Sequence, residues 1–245
     1  MLHIALDGHK LHLHPHRVAD WAEGKAVRPL YVEISPVAHC NHKCVFCNYN
    51  YLGHKGFFPE GRLLTLPGEL AAAGVKAVVL AGAGEPCLHP ETFEAIERLR
   101  EQGLDAAMST NGALLNPERI DTIVRNLTWI RFSCSGGSPE NYARVQGGRG
   151  TDYEAVMANL RAMRRRKDAT GSNLTIGVQF ILLPENEAFL LSQAKAVREA
   201  GADYFVVKHF YAHAHNAYQP DMRFLTPDYL DRLQDAARAV SDASF

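Results

Sequence analysis

The sequence lacks several features that would place a chain in a membrane, in a secretory pathway or on a nucleic acid. No uninterrupted apolar run approaches the roughly 18–20 residues of a membrane-spanning helix, and the polar, histidine-rich start does not resemble a secretory signal. Lysine and arginine total 26 against 27 acidic residues, so the formal net charge is −1 and no basic surface is expected. These absences predict a cytoplasmic protein without nucleic-acid or membrane partners.

Cysteine is scarce and unevenly placed. Of the five cysteines, Cys40, Cys44 and Cys47 lie close together, whereas Cys87 and Cys134 stand alone. A disulfide framework normally has an even number of cysteines in a short secreted chain. The pattern therefore favours a metal or cluster site in a reducing compartment.

Six apolar runs alternate with helical patterns along the 245 residues. The runs cover 31–37, 75–82, 104–110, 127–135, 174–183 and 202–210. The helical patterns cover 91–103, 117–127, 153–167 and 187–201. This alternation predicts an α/β fold of parallel βαβ units with right-handed crossovers. Most runs are apolar on both faces, as a parallel sheet covered by helices requires.

The unusual residues of the chain gather after the predicted strands. The loop after the first predicted strand, here called the cysteine loop, carries Cys40, Cys44 and Cys47. The loops after the other five strands read AGAGEP, STNG, SCSGG, LLPEN and KHFYAH. In α/β folds the chemistry lies at the carboxyl ends of the strands, so one active site is expected. We divide the chain into an N-terminal extension (1–30), a core (31–225) and a C-terminal helix (226–245) that begins with a Thr-Pro-Asp capping signal.

The three clustered cysteines offer three thiolates from one short loop. Three thiolates can hold three irons of a cubane [4Fe–4S] cluster and leave the fourth iron open, and this is the interpretation we prefer. Zinc is the alternative, because His39 or His42 could complete a Cys3His site around Cys40, Cys44 and Cys47.

The CxxxCxxC motif directly after the first strand resembles the hallmark of the radical S-adenosylmethionine (SAM) superfamily. AGAGEP (81–86) is similar to the GGE segment that follows the second strand in that family, with Ala83 where glycine is usual. STNG (109–112) resembles the TNG segment at the end of the third strand. The position of AGAGEP, one βα unit after the cysteines, makes the likeness specific.

Later segments carry the same resemblance. RFSCSGGSPENYARVQGG (131–148) is similar to a segment after the fourth strand of many members, although Cys134 and Ser135 stand where a hydrophobic residue and aspartate are common. LTIGVQFILLPEN (174–186) resembles the fifth-strand segment near the adenine. The resemblance covers about residues 30–210, most of the chain.

Membership of this superfamily implies a fold, two cofactors and a mechanism. The fold is a partial (β/α)6 TIM-like barrel in a single domain. Its cofactors are a [4Fe–4S] cluster on Cys40, Cys44 and Cys47, and SAM. One electron, from a reductant such as flavodoxin or ferredoxin, cleaves SAM to a 5′-deoxyadenosyl radical that abstracts hydrogen from substrate, in an oxidoreductase or lyase reaction.

The resemblance also implies contacts with the methionine and ribose parts of SAM. Glu85 and the backbone of Gly82, Ala83 and Gly84 would receive the methionine ammonium, a compact cation suited to carbonyl and carboxylate acceptors. Asn111 would contact the ribose, although an Asn-Gly pair is also simply a tight turn.

Further cofactor contacts are implied on later strands and beside the last cysteine. Ser133 would bond the carboxylate or the ribose. Arg144 or Arg149 would clamp the carboxylate, with a solvated arginine as the alternative for each. By analogy, Phe46 shields the cluster or the adenine, and the backbone at Asn48 meets the adenine edge.

Three positions and one segment are candidates for other roles at the barrel mouth. Gln179, a candidate cofactor contact, could face the barrel interior or the helices. Lys208 is a catalytic candidate that we expect to be buried with a charged partner, because its run is apolar. Cys134 is a second catalytic candidate, with a small buried hydrophobe as its alternative role. Residues 50–58 could form a substrate lid.

The substrate is less defined than the cofactors. We expect a small molecule of sugar, nucleoside or natural-product type, or a peptide. One alternative is an activating enzyme for a glycyl-radical protein. Another, from a different class, is a non-catalytic zinc- or cluster-binding module, which would need a fourth ligand from the chain and would not bind SAM.

Overall fold

Six parallel strands form one sheet in this computed structural model, which describes residues 11–49 and 56–241. The strands are β1 (Tyr31–Ile34), β2 (Ala77–Leu80), β3 (Asp105–Thr110), β4 (Trp129–Ser133), β5 (Thr175–Leu182) and β6 (Tyr204–His209). Each strand pairs in parallel with its neighbours in sequence, in the order 1-2-3-4-5-6. The predicted single α/β domain with a partial barrel of six parallel strands is confirmed.

Helices cover the outer face of the sheet. They are α1 (Pro15–Ala22), α2 (Arg62–Ala72), α3 (Thr92–Glu101), α4 (Pro117–Asn126), α5 (Pro139–Gln146), α6 (Gly150–Thr170), α7 (Leu190–Glu199) and α8 (Pro227–Val240). Three of them start with proline after a residue whose side chain accepts a backbone N–H, namely Asn116, Ser138 and Thr226. This arrangement satisfies an otherwise unpaired donor of the first turn.

Side chains alternate between the helices and the barrel interior. On β4, Ile130 and Phe132 are buried in the main core against the helices, so Arg131 and Ser133 point to the other face. On β5, Val178 and Phe180 likewise pack outward. Gln179 therefore faces the barrel interior, which resolves the choice that the sequence left open.

The sheet stays open between its two edge strands, β1 and β6. After β6, residues 210–226 cross the carboxyl end of the barrel before α8 begins; we call this segment the strap. Asn48, in the cysteine loop after β1, donates through Nδ2 to the carbonyl of Tyr211 at 3.3 Å. Asn216 donates through Nδ2 to Oδ1 of Asn48 at 3.2 Å. The strap thus spans the gap between the two edges.

The sequence patterns missed three helices, α1, α2 and α5, the first of which lies in the predicted N-terminal extension. Pro67 and Gly68 lie inside α2 and normally indicate a turn. The short α5 ends at Gly147, in a left-handed conformation with φ of +62°. Residues 50–55 of the predicted lid and 1–10 of the N-terminal extension lie outside the described residues. No helix of the described part has the length and apolarity that crossing a membrane requires.

Candidate functional site

The cysteine loop follows β1 at the carboxyl end of the sheet, where the sequence placed it. Two N–H groups are directed at Sγ of Cys40: the backbone N of His42 at 3.4 Å and Nδ2 of Asn111 at 3.7 Å. The backbone N of Cys47 donates to the carbonyl of Cys44 at 3.0 Å, which closes a turn between two of the cysteines. The loop therefore supplies three thiols and donors to at least one of them.

Two of the thiols, those of Cys40 and Cys44, are held in a setting that disfavours free thiolates. Burial raises the pKa of Cys40 to about 11. Burial, and then the neighbouring sulfurs of Cys40 and Cys47, raises the pKa of Cys44 above its ordinary value. A bound iron cluster reverses this preference, because metal charge deprotonates a coordinating thiol. Three thiols on one loop with N–H donors fit a three-thiolate cluster.

The two histidines of the loop, His39 and His42, have different surroundings. His42 is 3% exposed, and its Nε2 lies 3.3 Å from Oδ2 of Asp152. His39 packs edge-on against Phe57 with ring centroids 4.8 Å apart. In the described ranges no three His, Cys, Asp or Glu side chains are placed to hold a single metal ion. Because Nε2 of His42 is engaged with Asp152, a Cys3His zinc site completed by His42 would have to use Nδ1, which is buried without a hydrogen-bond partner among the described residues.

The AGAGEP loop lies directly against the cysteine loop. Gly82 has φ of +110°, and a Cβ there would lie 2.6 Å from Cβ of Ser35. A Cβ on Gly84 would lie 2.6 Å from the carbonyl oxygen of Val37. The backbone N of Ala83 donates to Oγ of Ser35 at 3.1 Å. Glycine is needed at both positions because the two backbones approach so closely.

Glu85 is 2% exposed, and its carboxylate is used within the protein. Oε1 accepts from Oγ1 of Thr110 at 2.6 Å and from the backbone N of Cys87 at 3.1 Å. Oε2 accepts from the backbone N of Asn111 at 2.7 Å. These bonds take most of the acceptor capacity of a carboxylate. The expected contact with an ammonium group is left mainly to the backbone of Gly82–Gly84.

Asn111 is also bonded to the protein at both ends of its side chain. Its Nδ2 donates to Oδ1 of Asn41 at 2.8 Å, besides facing Cys40. Its Oδ1 accepts from the backbone N of Ala113 at 3.0 Å. The residue therefore links the loop after β3 to the cysteine loop, and a ribose contact would need one of these bonds to open.

Both candidate arginines bind acceptors of the chain. Arg144 donates through Nη2 to the carbonyl of Glu185 at 2.9 Å. Arg149 donates through Nη2 to Oδ1 of Asp152 at 3.1 Å, and its side chain is 84% exposed. To clamp a carboxylate, either arginine would have to exchange its present acceptor for that group. Ser133, in contrast, faces the interior beside Gln179, its partner in the β4–β5 register.

Phe46 belongs to a small apolar cluster at the barrel mouth. It packs with Val145 of α5, Leu183 after β5 and Phe210 of the strap. The cluster therefore joins the cysteine loop to α5, β5 and the strap, in keeping with a shielding role.

The two catalytic candidates do not lie where the sequence suggested. Lys208 is exposed rather than buried, because β6 is an edge strand of an open sheet. Cys134 is 1% exposed in the core on the helix side, where its sulfur accepts from Nε2 of Gln193 at 3.4 Å. Its position favours the alternative, a small buried side chain.

Sequence analysis missed three buried polar side chains that connect the loops. Gln146 donates through Nε2 to the carbonyl of Ser133 at 3.0 Å. Asn186 donates to the carbonyl of Ser135 at 2.7 Å, and Asp152 faces His42. Gln146 and Asn186 lie within the segments that resemble the family, and this resemblance was the signal that could have identified them.

A sequence model described as the Radical SAM superfamily matches residues 34–186. The match covers more than half of the chain, includes the three cysteines and ends just beyond β5. The chain belongs to the radical SAM superfamily, a family of enzymes, as the sequence motifs indicated.

Curated relatives of this chain include two enzymes with different names. A probable GTP 3′,8-cyclase of Thermococcus kodakarensis is 27% identical over 150 residues, covering 59% of this chain and 47% of the relative. A pre-heme d1 synthase of Dinoroseobacter shibae is 28% identical over 183 residues, covering 69% and 41%. The chain thus spans less than half the length of these relatives.

Solved structures share the fold at low sequence identity. Streptococcus suis SuiB bound to its precursor peptide SuiA has a TM-score of 0.72 and 15% identity, covering 96% of this chain and 52% of SuiB. Native anSMEcpe with bound AdoMet has a TM-score of 0.65 and 17% identity, covering 85% and 60%.

Proposed function

We propose that this chain is a radical SAM enzyme whose [4Fe–4S] cluster is held by Cys40, Cys44 and Cys47. When bound, the cluster and SAM together supply the 5′-deoxyadenosyl radical that removes a hydrogen atom from substrate. The observation that carries the proposal is the loop of three thiols with the N–H groups of His42 and Asn111 directed at Cys40. Hydrogen bonds to the sulfurs are one of the features that tune such clusters.

The chain's own residues would bind and orient SAM. The backbone of Gly82–Gly84, brought close to the cysteine loop, offers carbonyl groups to the ammonium of methionine. Ser133 and Gln179 extend from neighbouring strands into the barrel interior and would bond the carboxylate or the ribose. The apolar cluster around Phe46 would exclude water from the mouth.

For the substrate we propose a small molecule of sugar, nucleoside or natural-product type, or a peptide. Two comparisons support this range: a relative named for GTP, and a structure of similar fold bound to a precursor peptide. We further propose an oxidoreductase or lyase reaction, a flavodoxin or ferredoxin as reductant, and a cytoplasmic location.

The proposal is tested by anaerobic reconstitution with iron and sulfide, followed by reduction with dithionite in the presence of SAM. We expect about four irons per chain and formation of 5′-deoxyadenosine, measured by liquid chromatography and mass spectrometry. Cys40→Ala should abolish 5′-deoxyadenosine formation because one cluster ligand is lost. Cys87→Ala, a substitution outside the loop, is the matched control and should keep the iron content of the native chain.

One zinc per chain with no 5′-deoxyadenosine would contradict the proposal and favour the non-catalytic module. If SAM is cleaved, candidate substrates deuterated at the reacting carbon come next. Deuterium in the recovered 5′-deoxyadenosine identifies the substrate class.

A further inference from the structure

Among the segments that contact the cysteine loop, residues 145–152 hold its central part; they run from the end of α5 into the first turn of α6. The backbone N of Lys43 donates to the carbonyl of Gln146 at 3.2 Å, and the backbone N of Val45 donates to the carbonyl of Val145 at 3.0 Å. Gly147 packs so tightly against the carbonyl of Lys43 that a Cβ would overlap it. The central part of the loop therefore has a fixed backbone partner.

His42 adds a side-chain anchor between Cys40 and Cys44. Its side chain is fully buried, and its Nε2 lies 3.3 Å from Oδ2 of Asp152. A Cβ on Gly148 would lie 2.5 Å from Cδ2 and Nε2 of the imidazole, so the ring occupies the space that this glycine leaves free. Tyr142 meets the ring edge-on, with centroids 5.6 Å apart.

Asp152 is in turn fixed by the start of α6. Its Oδ2 accepts from the backbone N of Arg149 at 2.8 Å, and its Oδ1 accepts from Nη2 of Arg149 at 3.1 Å. Burial alone would raise the pKa of Asp152, but the hydrogen bonds from Arg149 and His42 outweigh it, so the net shift is downward. An ionised carboxylate only accepts hydrogen bonds, and Nε2 of His42 is therefore the donor.

We propose that His42 and Asp152 are a positioning pair that holds the loop of three thiols in the geometry a [4Fe–4S] cluster requires. Neither side chain is a ligand; the pair acts through the backbone that carries Cys40 and Cys44. Outer-shell partners of this kind orient the ligands, and their loss typically weakens metal binding about 10- to 100-fold. This inference rests on the proposed function, because it assumes that the three cysteines bind the cluster.

Removing either partner should loosen the loaded cluster more than it destabilises the fold. His42→Phe keeps a buried ring without the hydrogen bond, and Asp152→Ala removes the acceptor. We expect iron release from the reconstituted protein to a chelator to become about tenfold faster in both. Asp152→Asn keeps an acceptor oxygen, so its rate of iron release should lie between those of the native protein and Asp152→Ala. Asp168→Ala, at the exposed end of α6 where Asp168 pairs with Arg164, is the matched control and should release iron at the native rate.

A positioning role is separated from a merely structural one by spectroscopy. The electron paramagnetic resonance signal of the reduced cluster, and its change on adding SAM, should differ from native in His42→Phe and Asp152→Ala. A purely structural pair would instead lower the melting temperature of the cluster-free protein and leave the signal of the loaded fraction unchanged. If His42→Phe does not fold, the milder Asp152→Asn is assessed by the same signal and by chelation.

The outcomes for the inference and for the proposed function are distinct. A native chain that assembles a cluster and cleaves SAM, with variants that hold iron and give native spectra, would overturn the positioning pair and leave the proposed function intact. A native chain that assembles no cluster would overturn both.

Discussion

The two sides of the barrel mouth use their polar residues differently. On the side formed by β1, β2 and β3, Glu85, Thr110 and Asn111 are buried and bonded to one another. On the side formed by β6 and the strap, Lys208 and Tyr211 are exposed. The first side is preorganised, which suits the site that we propose for the cluster and SAM. The second side presents adaptable side chains, which suits a substrate-binding surface.

The largest effect should follow from breaking the buried network of the first side. Glu85→Ala removes the acceptor for three donors, which lie in a buried setting without solvent to replace it. We expect the free energy of unfolding to fall by about 3 kcal/mol, since each unpaired buried donor costs about 1–3 kcal/mol. Urea denaturation of the cluster-free, reduced protein measures this. The exposed Glu97 accepts from Oγ1 of Thr122 at 3.2 Å, and Glu97→Ala should lower the free energy of unfolding by less than about 0.5 kcal/mol. Equal losses in the two variants would refute a special role for the network.

A smaller effect should come from the close approach of the AGAGEP and cysteine loops. Gly84→Ala inserts a Cβ against the carbonyl of Val37, so we expect a loss of about 2 kcal/mol in the free energy of unfolding. Gly68, within α2, has no atom within 4 Å of the corresponding position. Gly68→Ala should therefore raise stability by about 0.5–1 kcal/mol. A change of the free energy of unfolding in the same direction in Gly84→Ala and Gly68→Ala would contradict this prediction.

The smallest effect on stability should come from the second side. Asn216→Ala removes the bond to Asn48 and should change the free energy of unfolding by no more than about 1 kcal/mol. Opening of the strap should nevertheless become easier, so limited trypsin digestion should cleave after Arg223 several times faster. Gln219→Ala removes a bond within the strap, to the carbonyl of Asn216 at 3.0 Å, and is the control. A native cleavage rate in Asn216→Ala would show that the contact does not restrain the strap.

The first side was also the more predictable from sequence. Strand runs, the CxxxCxxC spacing and the glycines of AGAGEP are local signals. The structure confirms the strands, and it shows Gly82 and Gly84 close to the segment that follows β1. The partners of Glu85 were not predictable, because Thr110 and Asn111 come from a different strand. A carboxylate beside glycines in the sequence suggests a group that binds a cofactor. The hydrogen bonds that Glu85 accepts from the neighbouring strand become known only from the structure.

For Lys208, the sequence wrongly predicted burial. An apolar run predicts burial on both faces only when a strand has neighbours on both sides. β6 pairs with β5 alone in the described sheet, and its last residues reach solvent. Whether a parallel strand is central or at an edge depends on chain topology, which the pattern of one run does not contain.

The pairing of His42 with Asp152 has a consequence for biosynthesis. The two residues are 110 positions apart, and translation at about 5–20 residues per second separates their synthesis by about 5–20 seconds. During that interval the three thiols of the emerging chain lack the segment that fastens their loop. On the proposed role of the pair, we therefore expect insertion of a cluster into a properly shaped loop to follow the synthesis and folding of α6.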